Sequence, residues 1–317
     1  MVKYLAFHKM ATFESWVLLS VYILTFLIGL PANLLAIYAF IRKLSDKPTP
    51  TDILLLNLTA SDLLFLLFLP LKMYEAASNM HWYLSQVLCS ITCFIFFTTI
   101  YTSSLLLMAV SVDRYLAAAF PVTYRASRRV LHGIVGSVFI WLCSGAHCTI
   151  VFIIVHKGNE NQTTPKTTCY SNFTDSQNDI ILPTRLEFFL VIFMMPLLVC
   201  VFCYLKCIWI LYSRPCIAKE KKQKAIGMAL STLAVFLICF LPYNISHLVG
   251  YSINHSPDWR NYTLLLSTLN TCLDPMIFYF SSNTYRNTTK LSFFKIASFR
   301  RHKAPKTNTS VEMDQDI

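Results

Sequence analysis

Seven apolar runs, each long enough to cross a bilayer, leave this chain little freedom to be anything but an integral membrane protein. They cover residues 16–41, 52–77, 85–120, 131–155, 183–212, 224–253 and 261–280. A spanning helix needs about 20 apolar residues, because each adds only about 1.5 Å along the axis. Seven such spans and their connections occupy most of the 317 residues, so no second soluble domain fits. Charge agrees: 14% of the residues are charged, against about 25% in a soluble domain, and 55% are hydrophobic. The expected fold is all-α: a seven-transmembrane-helix bundle over 16–280 after an extracellular N-terminus at 1–15. A short amphipathic eighth helix is expected at 281–302, where Leu291, Phe293, Phe294, Ile296 and Phe299 alternate with basic residues, followed by a cytoplasmic tail at 303–317. Residues 1–15 lack the basic stretch, short apolar core and small cleavage residues of a signal peptide, so the first run is expected to remain as a helix.

Orientation follows from the basic residues. Of the 27 lysines and arginines, only Lys3, Lys9, Lys72, Lys157, Lys166, Arg185 and Arg260 fall on one side; the rest crowd the opposite loops and the tail. Positive charge stays inside, so the N-terminus is expected outside, with a plasma-membrane location. The same asymmetry accounts for the net charge of +11 without a nucleic-acid partner. The sequons at Asn161 and Asn172 then lie in an outer loop, as glycosylation requires, whereas Asn57-Leu-Thr59 is inside an apolar run. The lipid bilayer is thus the first partner the sequence names.

Seven spans do not choose between a receptor and an anion transporter or channel. Transporters show internal repeats and paired broken helices, and neither is clear here. Polar groups inside the membrane carry the decision, because they are costly and therefore functional candidates. In order they are Gly29-Leu-Pro-Ala-Asn33, Leu58-Thr-Ala-Ser-Asp62, Cys89 opening the third span, Asp113-Arg114-Tyr115 ending it, Trp141, Pro196, Cys239-Phe-Leu-Pro242 and Asp274-Pro275-Met-Ile-Phe278. This series resembles the rhodopsin-like receptor pattern over roughly residues 16–297, one mark or more per helix.

The resemblance implies coupling to a heterotrimeric G protein, with arrestin and receptor kinases as further partners, and no enzymatic activity. It implies that Asp113 restrains Arg114 until activation, with Tyr115 beside them; an inner-face arginine that snorkels is the plain alternative. It implies an allosteric sodium ion among Asn33, Asp62 and Asp274, the alternative being a neutral Asp62 in a polar network. No other cofactor or metal is expected. It implies a disulfide between Cys89 and Cys169, both on the oxidising side. Three departures stand out. Lys222 occupies the position twenty residues before Pro242 where many relatives have an acid, so that ionic lock is not available. Phe240 stands where tryptophan is common, and Phe278 where tyrosine is common, with Tyr279 next to it. Pro242 and Pro275 keep their capacity to kink the helices.

The outer half of the bundle carries an unusual polar set: Tyr101, His147, Arg185, Tyr243, His247 and Arg260. Helix rise places Arg185 about 16 Å above Pro196 and Arg260 about 21 Å above Asp274, a similar outer level. Tyr243 and His247, four residues apart, share one helix face. Two arginines facing one cavity repel unless an anion lies between them, and a guanidinium grips a carboxylate with two parallel bonds. Local alternatives exist: Arg260 with Asp258, Arg185 with Glu187 or lipid headgroups, and His147 as a core histidine.

The strings Leu182-Pro-Thr-Arg185-Leu-Glu187, Pro242-Tyr-Asn-Ile-Ser-His247, Ala146-His147-Cys148 and Ser256-Pro-Asp-Trp-Arg260 resemble the free fatty acid receptors, and the short-chain members in particular. The resemblance implies a small carboxylate ligand clamped by Arg185 and Arg260, with His247 assisting, and inhibitory or Gq-type G proteins. The run Phe94-Ile-Phe-Phe97-Thr-Thr-Ile-Tyr101 resembles one short-chain subtype, while Cys169-Tyr170-Ser-Asn-Phe-Thr-Asp175 resembles the other. Phe97 and Tyr170 join the candidate ligand residues on that ground, and the order of preferred chain lengths stays open. A receptor for another small anionic metabolite, such as a hydroxycarboxylate, is the alternative within the same fold.

Overall fold

The computed structural model describes residues 2–45, 48–127, 129–159, 169–170, 173–215, 218–281 and 285–287, and among them there are helices and turns but no strand. The first three helices are Val2–Leu44, Pro50–Ala77 and Gln86–Ala119. The fourth runs Val130–Cys148 and resumes after Thr149 as Ile150–Asn159. The fifth comprises Asp175–Glu187, a wider π-turn segment Phe188–Met194, and Met195–Tyr212. The sixth repeats that plan with Lys219–Ala234, π-turns at Val235–Phe240, and Leu241–Ile253. The seventh is Arg260–Thr268 continued by Asn270–Ser281. A short helix, Pro121–Ser127, connects the third and fourth.

Local chemistry sets several of these boundaries. Thr49 caps the second helix, its side chain accepting from the Asp52 N–H while Asp52 accepts from the Thr49 N–H, with Pro50 at the first helical position. Ser85 caps the third. The fifth helix starts at Asp175, well before the apolar run expected from 183, because Gln177 accepts from the Thr174 N–H and donates to the Ile154 carbonyl at 2.7 Å. The first helix begins at Val2 rather than at 16, since residues 2–15 contain neither proline nor glycine to stop it.

The third helix is the axle of the bundle. Of its most apolar window 78% is buried, against 28% for the first helix and 33% for the fourth. It packs on the second, fourth and fifth helices. The polarity is inverted relative to a soluble protein. Leu67, Leu142, Leu205 and Leu230 lie exposed on the outside, whereas Asn33, Asp62, Ser61, Thr99 and Asp274 are buried. A surface so apolar is stable only in lipid, and this is a multi-pass membrane protein.

Prolines shape the helices at the level of the site. Pro196 and Pro242 each follow a π-turn segment, the expected accommodation for a ring that displaces the preceding turn. The carbonyl four residues before Pro196, that of Ile192, accepts from Ser104 on the third helix at 3.3 Å. The one four residues before Pro275, that of Thr271, accepts from Asn33 on the first helix at 3.0 Å. Next to Pro242, the Cys239 carbonyl accepts from Ser267 on the seventh helix at 3.0 Å. Trp141 donates to Asn57 at 3.2 Å, joining the fourth helix to the second.

The expected eighth helix and tail fall outside the described residues apart from 285–287, where Tyr285 packs against Phe40 and Phe278. Asn161 and Asn172 also lie outside them.

Packing of the second and fourth helices depends on Gly133, where an added Cβ would sit 2.8 Å from the Pro50 carbonyl oxygen and 3.0 Å from the Ile53 Cβ. Gly136, one turn on, has nothing within 4 Å. Gly133→Ala is therefore expected to cost about 1–3 kcal/mol through overpacking. A lowered thermal midpoint of the detergent-solubilised protein, with Gly136→Ala unchanged, is the expected result.

Candidate functional site

The upper bundle holds a small, partly open cavity of about 20 Å³, lined by Phe97 and Tyr101 of the third helix, Cys148, Ile150 and Val151 of the fourth, Tyr170, Arg185 and Phe188, Tyr243 and His247 of the sixth, and Arg260. Drug-sized ligands occupy sites of about 300–1,000 Å³, so this cavity is a contracted one, little larger than a water site, and it widens only if its walls move. Both arginines are almost entirely buried, Arg185 at 5% and Arg260 at 8% exposure. Among the described residues no carboxylate lines the cavity, and neither arginine has an ion pair.

Each guanidinium is instead steadied by neutral groups. Arg260 Nη2 donates to the Tyr243 hydroxyl at 2.5 Å, and its guanidinium lies 5.0 Å from the Tyr243 ring centroid. Arg185 Nη1 donates to Ser256 Oγ at 2.7 Å, and its guanidinium is 5.2 Å from the Phe173 ring. Tyr101 and His247 meet through the hydroxyl and Nε2 at 3.2 Å. This arrangement leaves Arg185 Nη2, Arg260 Nε and His247 Nδ1 buried without a protein partner. Buried cations and unpaired donors are costly unless an acceptor of opposite charge satisfies them. An anion would satisfy these donors, and Asp258 and Glu187 do not supply one among the residues lining the cavity.

Aromatic rings make the apolar wall. Phe97 stacks on Tyr243 at 6.4 Å and meets Tyr170 at 5.5 Å; Phe188 lies 4.8 Å from Tyr101. Tyr170 follows Cys169, and its left-handed backbone, φ 55°, turns the loop back toward the bundle. Burial pushes its phenol well above the ordinary tyrosine range, so it acts as a neutral hydroxyl. The Cys89–Cys169 disulfide anchors this loop to the third helix.

His147 does not line the cavity. Its Nδ1 meets the Cys143 carbonyl at 2.8 Å and its Nε2 meets Glu187 Oε1 at 3.0 Å, linking the fourth and fifth helices. Successive residues of a helix differ by about 100° in direction, and the neighbouring Cys148 is the one that faces the ligand space. Ser256 and Phe173, which steady Arg185, lie in connecting segments where no periodicity marks them.

Midway down the bundle Asn33, Asp62 and Asp274 are fully buried neighbours. Asn33 Nδ2 is spent on the Gly29 and Thr271 carbonyls, and Thr271 Oγ1 donates to Asp62 Oδ1 at 3.3 Å. Asn33 Oδ1, Asp62 Oδ2 and both Asp274 oxygens lack a hydrogen-bond partner. A set of buried oxygens that includes two carboxylates fits a hard monovalent cation. Phe240, 1% exposed, lies between this level and the ligand cavity, in edge contact with Phe236 at 5.7 Å.

At the basic end Asp113 accepts hydrogen bonds from Thr51 of the second helix and from the Tyr124 hydroxyl of the short connecting helix, the latter at 2.7 Å. Arg114 follows it, its carbonyl approached by Cys207 Sγ at 4.0 Å, and the Tyr115 ring faces Phe202 at 5.8 Å. Tyr204, a residue the motif reading passed over, joins the fifth helix to Thr232 of the sixth at 3.0 Å. Lys222 lies 5.1 Å from the Tyr212 ring, and Glu220 bonds Lys224 and Arg286 instead. Phe278 is buried against Phe40 and Tyr285, while Tyr279 is 40% exposed, so the adjacent tyrosine does not replace it.

A bundle with a proline-hinged sixth helix, an Asp-Arg-Tyr end to its third and a buried cavity opposite is the architecture of a membrane receptor. The family model for the 7 transmembrane receptor (rhodopsin family) matches residues 32–278, and the chain belongs to that family of G-protein-coupled receptors. Within it the chain falls among the free fatty acid receptors. It is 48% identical over 276 residues to free fatty acid receptor 2 of Homo sapiens, covering 86% of this chain and 84% of that one. It is 47% identical over 274 residues to free fatty acid receptor 3 of Homo sapiens, covering 86% and 79%. It shares 47% over 274 residues with G-protein coupled receptor 42 of Homo sapiens, covering 86% and 79%. It is a receptor and not an enzyme.

His147 and Glu187 are each other's partner, so removing one should have much of the effect of removing both. In a double-mutant cycle His147→Ala, Glu187→Ala and the double variant should deviate from additivity by at least about 0.5 kcal/mol in thermal stability. Additive losses would show that the contact does not join the two helices.

Proposed function

We propose that this receptor is a plasma-membrane sensor of short-chain carboxylates of the acetate, propionate and butyrate type, with its N-terminus and ligand cavity facing outward. The observation that carries this reading is a pair of buried arginines, on the fifth and seventh helices, sharing one small cavity with no acid to neutralise them. The names of the free fatty acid receptors that it resembles support the same ligand class. A carboxylate has two oxygens to offer two guanidiniums, and the aromatic wall takes a short alkyl chain.

The mechanism follows from what the arginines already hold. Arg260 is bonded to Tyr243 of the sixth helix, and Arg185 to Ser256 beyond it. A carboxylate bridging both arginines draws the outer ends of the fifth, sixth and seventh helices together, and Tyr101 and His247 follow. The sixth helix pivots at Pro242, where its π-turns have already loosened the hydrogen-bond ladder. Its inner end then parts from the fifth helix at Tyr204–Thr232. Asp113, Arg114 and Tyr115 become available to the Gα subunit, of inhibitory or Gq type, and afterwards to receptor kinases and arrestin. Ligand thus acts by shifting a population, because it binds the drawn-in bundle better than the relaxed one. Asn33, Asp62 and Asp274 would hold a sodium ion, whose charge would offset that of the two buried carboxylates in the relaxed bundle.

Such ligands bind weakly. Each heavy atom contributes at most about 1.5 kcal/mol, and a millimolar constant corresponds to about 4 kcal/mol. Losing one charged partner from a desolvated pair costs about 2–5 kcal/mol, so Arg185→Ala and Arg260→Ala should each abolish propionate-stimulated G-protein activation while surface delivery persists. Propionamide, similar in shape but uncharged, should be inactive. Retained potency in either variant, or an active amide, would overturn the clamp. Uptake of labelled propionate into vesicles should be nil; measurable uptake would favour an anion transporter.

Sodium has its own test. Asp62→Asn keeps the shape but removes a charge, and should erase the fall in basal and agonist-stimulated activation that sodium produces relative to choline in the wild type. Equal sodium sensitivity in both proteins would refute the site.

A further inference from the structure

Beside the disulfide that anchors the cavity loop lies a third sulfur that the receptor mechanism leaves unused. Cys93 is one helical turn below Cys89 on the same face of the third helix. Its Sγ is 3.6 Å from Cys169 Sγ, and the three sulfurs lie within 4.8 Å of one another. The thiol is 2% exposed. A buried cysteine ordinarily serves as a small hydrophobe, but this one has a cation aimed at it. Lys72 Nζ donates to Cys93 Sγ at 3.7 Å while pairing with Glu75 at 2.8 Å. The Lys72 ammonium also sits 5.8 Å from the Phe96 ring. The ammonium beside the sulfur offsets part of the cost of forming, in this buried position, the thiolate that attacks a disulfide.

We propose that Cys89, Cys93 and Cys169 form a thiol–disulfide exchange centre in which the loop tether migrates along the third helix from Cys89 to Cys93. The Cys93 thiolate attacks Cys169 Sγ; the Cys93–Cys169 bond forms as the Cys89–Cys169 bond breaks. The electron pair of the broken bond leaves on Cys89 Sγ, which takes up a proton in place of the one Cys93 released. No oxidant or reductant is consumed, because one thiol and one disulfide exist before and after. Rotation of the Cys93 and Cys169 side chains brings the attacking sulfur into line with the bond it breaks.

The consequence falls on the ligand cavity. The attachment point moves four residues, about 6 Å, along the helix, while Cys169 Sγ itself closes only the 3.6 Å gap to Cys93. Tyr170, next to Cys169, lines the cavity and packs on Phe97, which is itself one turn below Cys93. The migrated tether therefore draws the Cys169 end of the loop slightly toward the floor and alters how Tyr170 packs on Phe97. Two covalent isomers of one chain would differ in the room they leave for ligand.

The test reads the linkage itself and does not depend on what the ligand is. Full-length receptor in membranes is incubated with a mixture of reduced and oxidised glutathione, quenched in acid, alkylated, and digested without reduction; mass spectrometry then identifies the partner of Cys169. The expected result is a Cys93–Cys169 peptide in the wild type whose share rises with trace reduced glutathione. In Cys89→Ser membranes Cys169 should be found joined to Cys93, and in Cys89→Ser/Cys93→Ser it should be alkylated. A wild type in which Cys169 pairs with Cys89 alone after incubation would overturn the proposal, as would an alkylated Cys169 in the single Cys89→Ser variant.

Discussion

A lipid surround offers no hydrogen bonds, so every backbone carbonyl that a proline frees must be satisfied from inside the bundle. The main polar contacts of this receptor answer that requirement. Asn33 takes the Thr271 carbonyl above Pro275, Ser104 takes the Ile192 carbonyl above Pro196, and Ser267 takes the Cys239 carbonyl near Pro242. Each such bond crosses between helices, so each kink is also a tie. The kinked helices are thereby held in a fixed relation while keeping a weak point in their own ladders. The sodium-site candidates lie on the same network, since Thr271 both receives from Asn33 and donates to Asp62.

The ligand cavity depends on these kinks. The π-turns at Phe188–Met194 lie between Arg185 and Pro196, whereas those at Val235–Phe240 lie on the inner side of Pro242, before Tyr243 and His247; each extra residue in a turn rotates the side chains on one side of it relative to those on the other. Arg185 and Phe188, and likewise Tyr243 and His247, reach one cavity with that geometry. Tyr243 then does three things at once: it accepts from Arg260, lies beneath that guanidinium, and stacks on Phe97 of the axle helix. The sixth helix is therefore connected to the charge of the site before any ligand arrives.

Much of this was legible in the sequence, because bilayer thickness and charge asymmetry act on composition directly. Seven runs and their order follow from apolar length, and the fold matches them. The third helix agrees almost to the residue because Ser85 is a capping residue in front of an apolar run. Boundaries that depend on tertiary bonds were not legible: the fifth helix starts early because Gln177 reaches across to Ile154, and the seventh is interrupted at Leu269, close to the carbonyl that turns toward Asn33. At the site, Arg185, Arg260, His247, Tyr243, Tyr101, Phe97 and Tyr170 come together around one cavity. His147 does not, because a one-residue step around a helix decides whether a side chain meets ligand or a neighbouring helix, and sequence spacing alone does not fix that angle for a lone polar residue.

Similar identity to receptors of both numbered subtypes has a structural counterpart. On the proposed function, the arginines, the histidine and the tyrosines would form the anion end, which would recognise the feature all short-chain acids share. On the same reading, chain length would be sensed at the apolar end, bounded by Phe97, Cys148, Val151, Phe188 and Tyr170. Four of these five belong to helices whose positions the bundle fixes. Tyr170 belongs to a loop whose position is set by Cys169, and therefore by whichever sulfur of the third helix holds it. The most adjustable wall of the cavity is thus attached through its least inert bond, next to Cys93 and Lys72. Charge recognition and size selection reside on different parts of the chain, so the size limit can change while the arginine clamp does not.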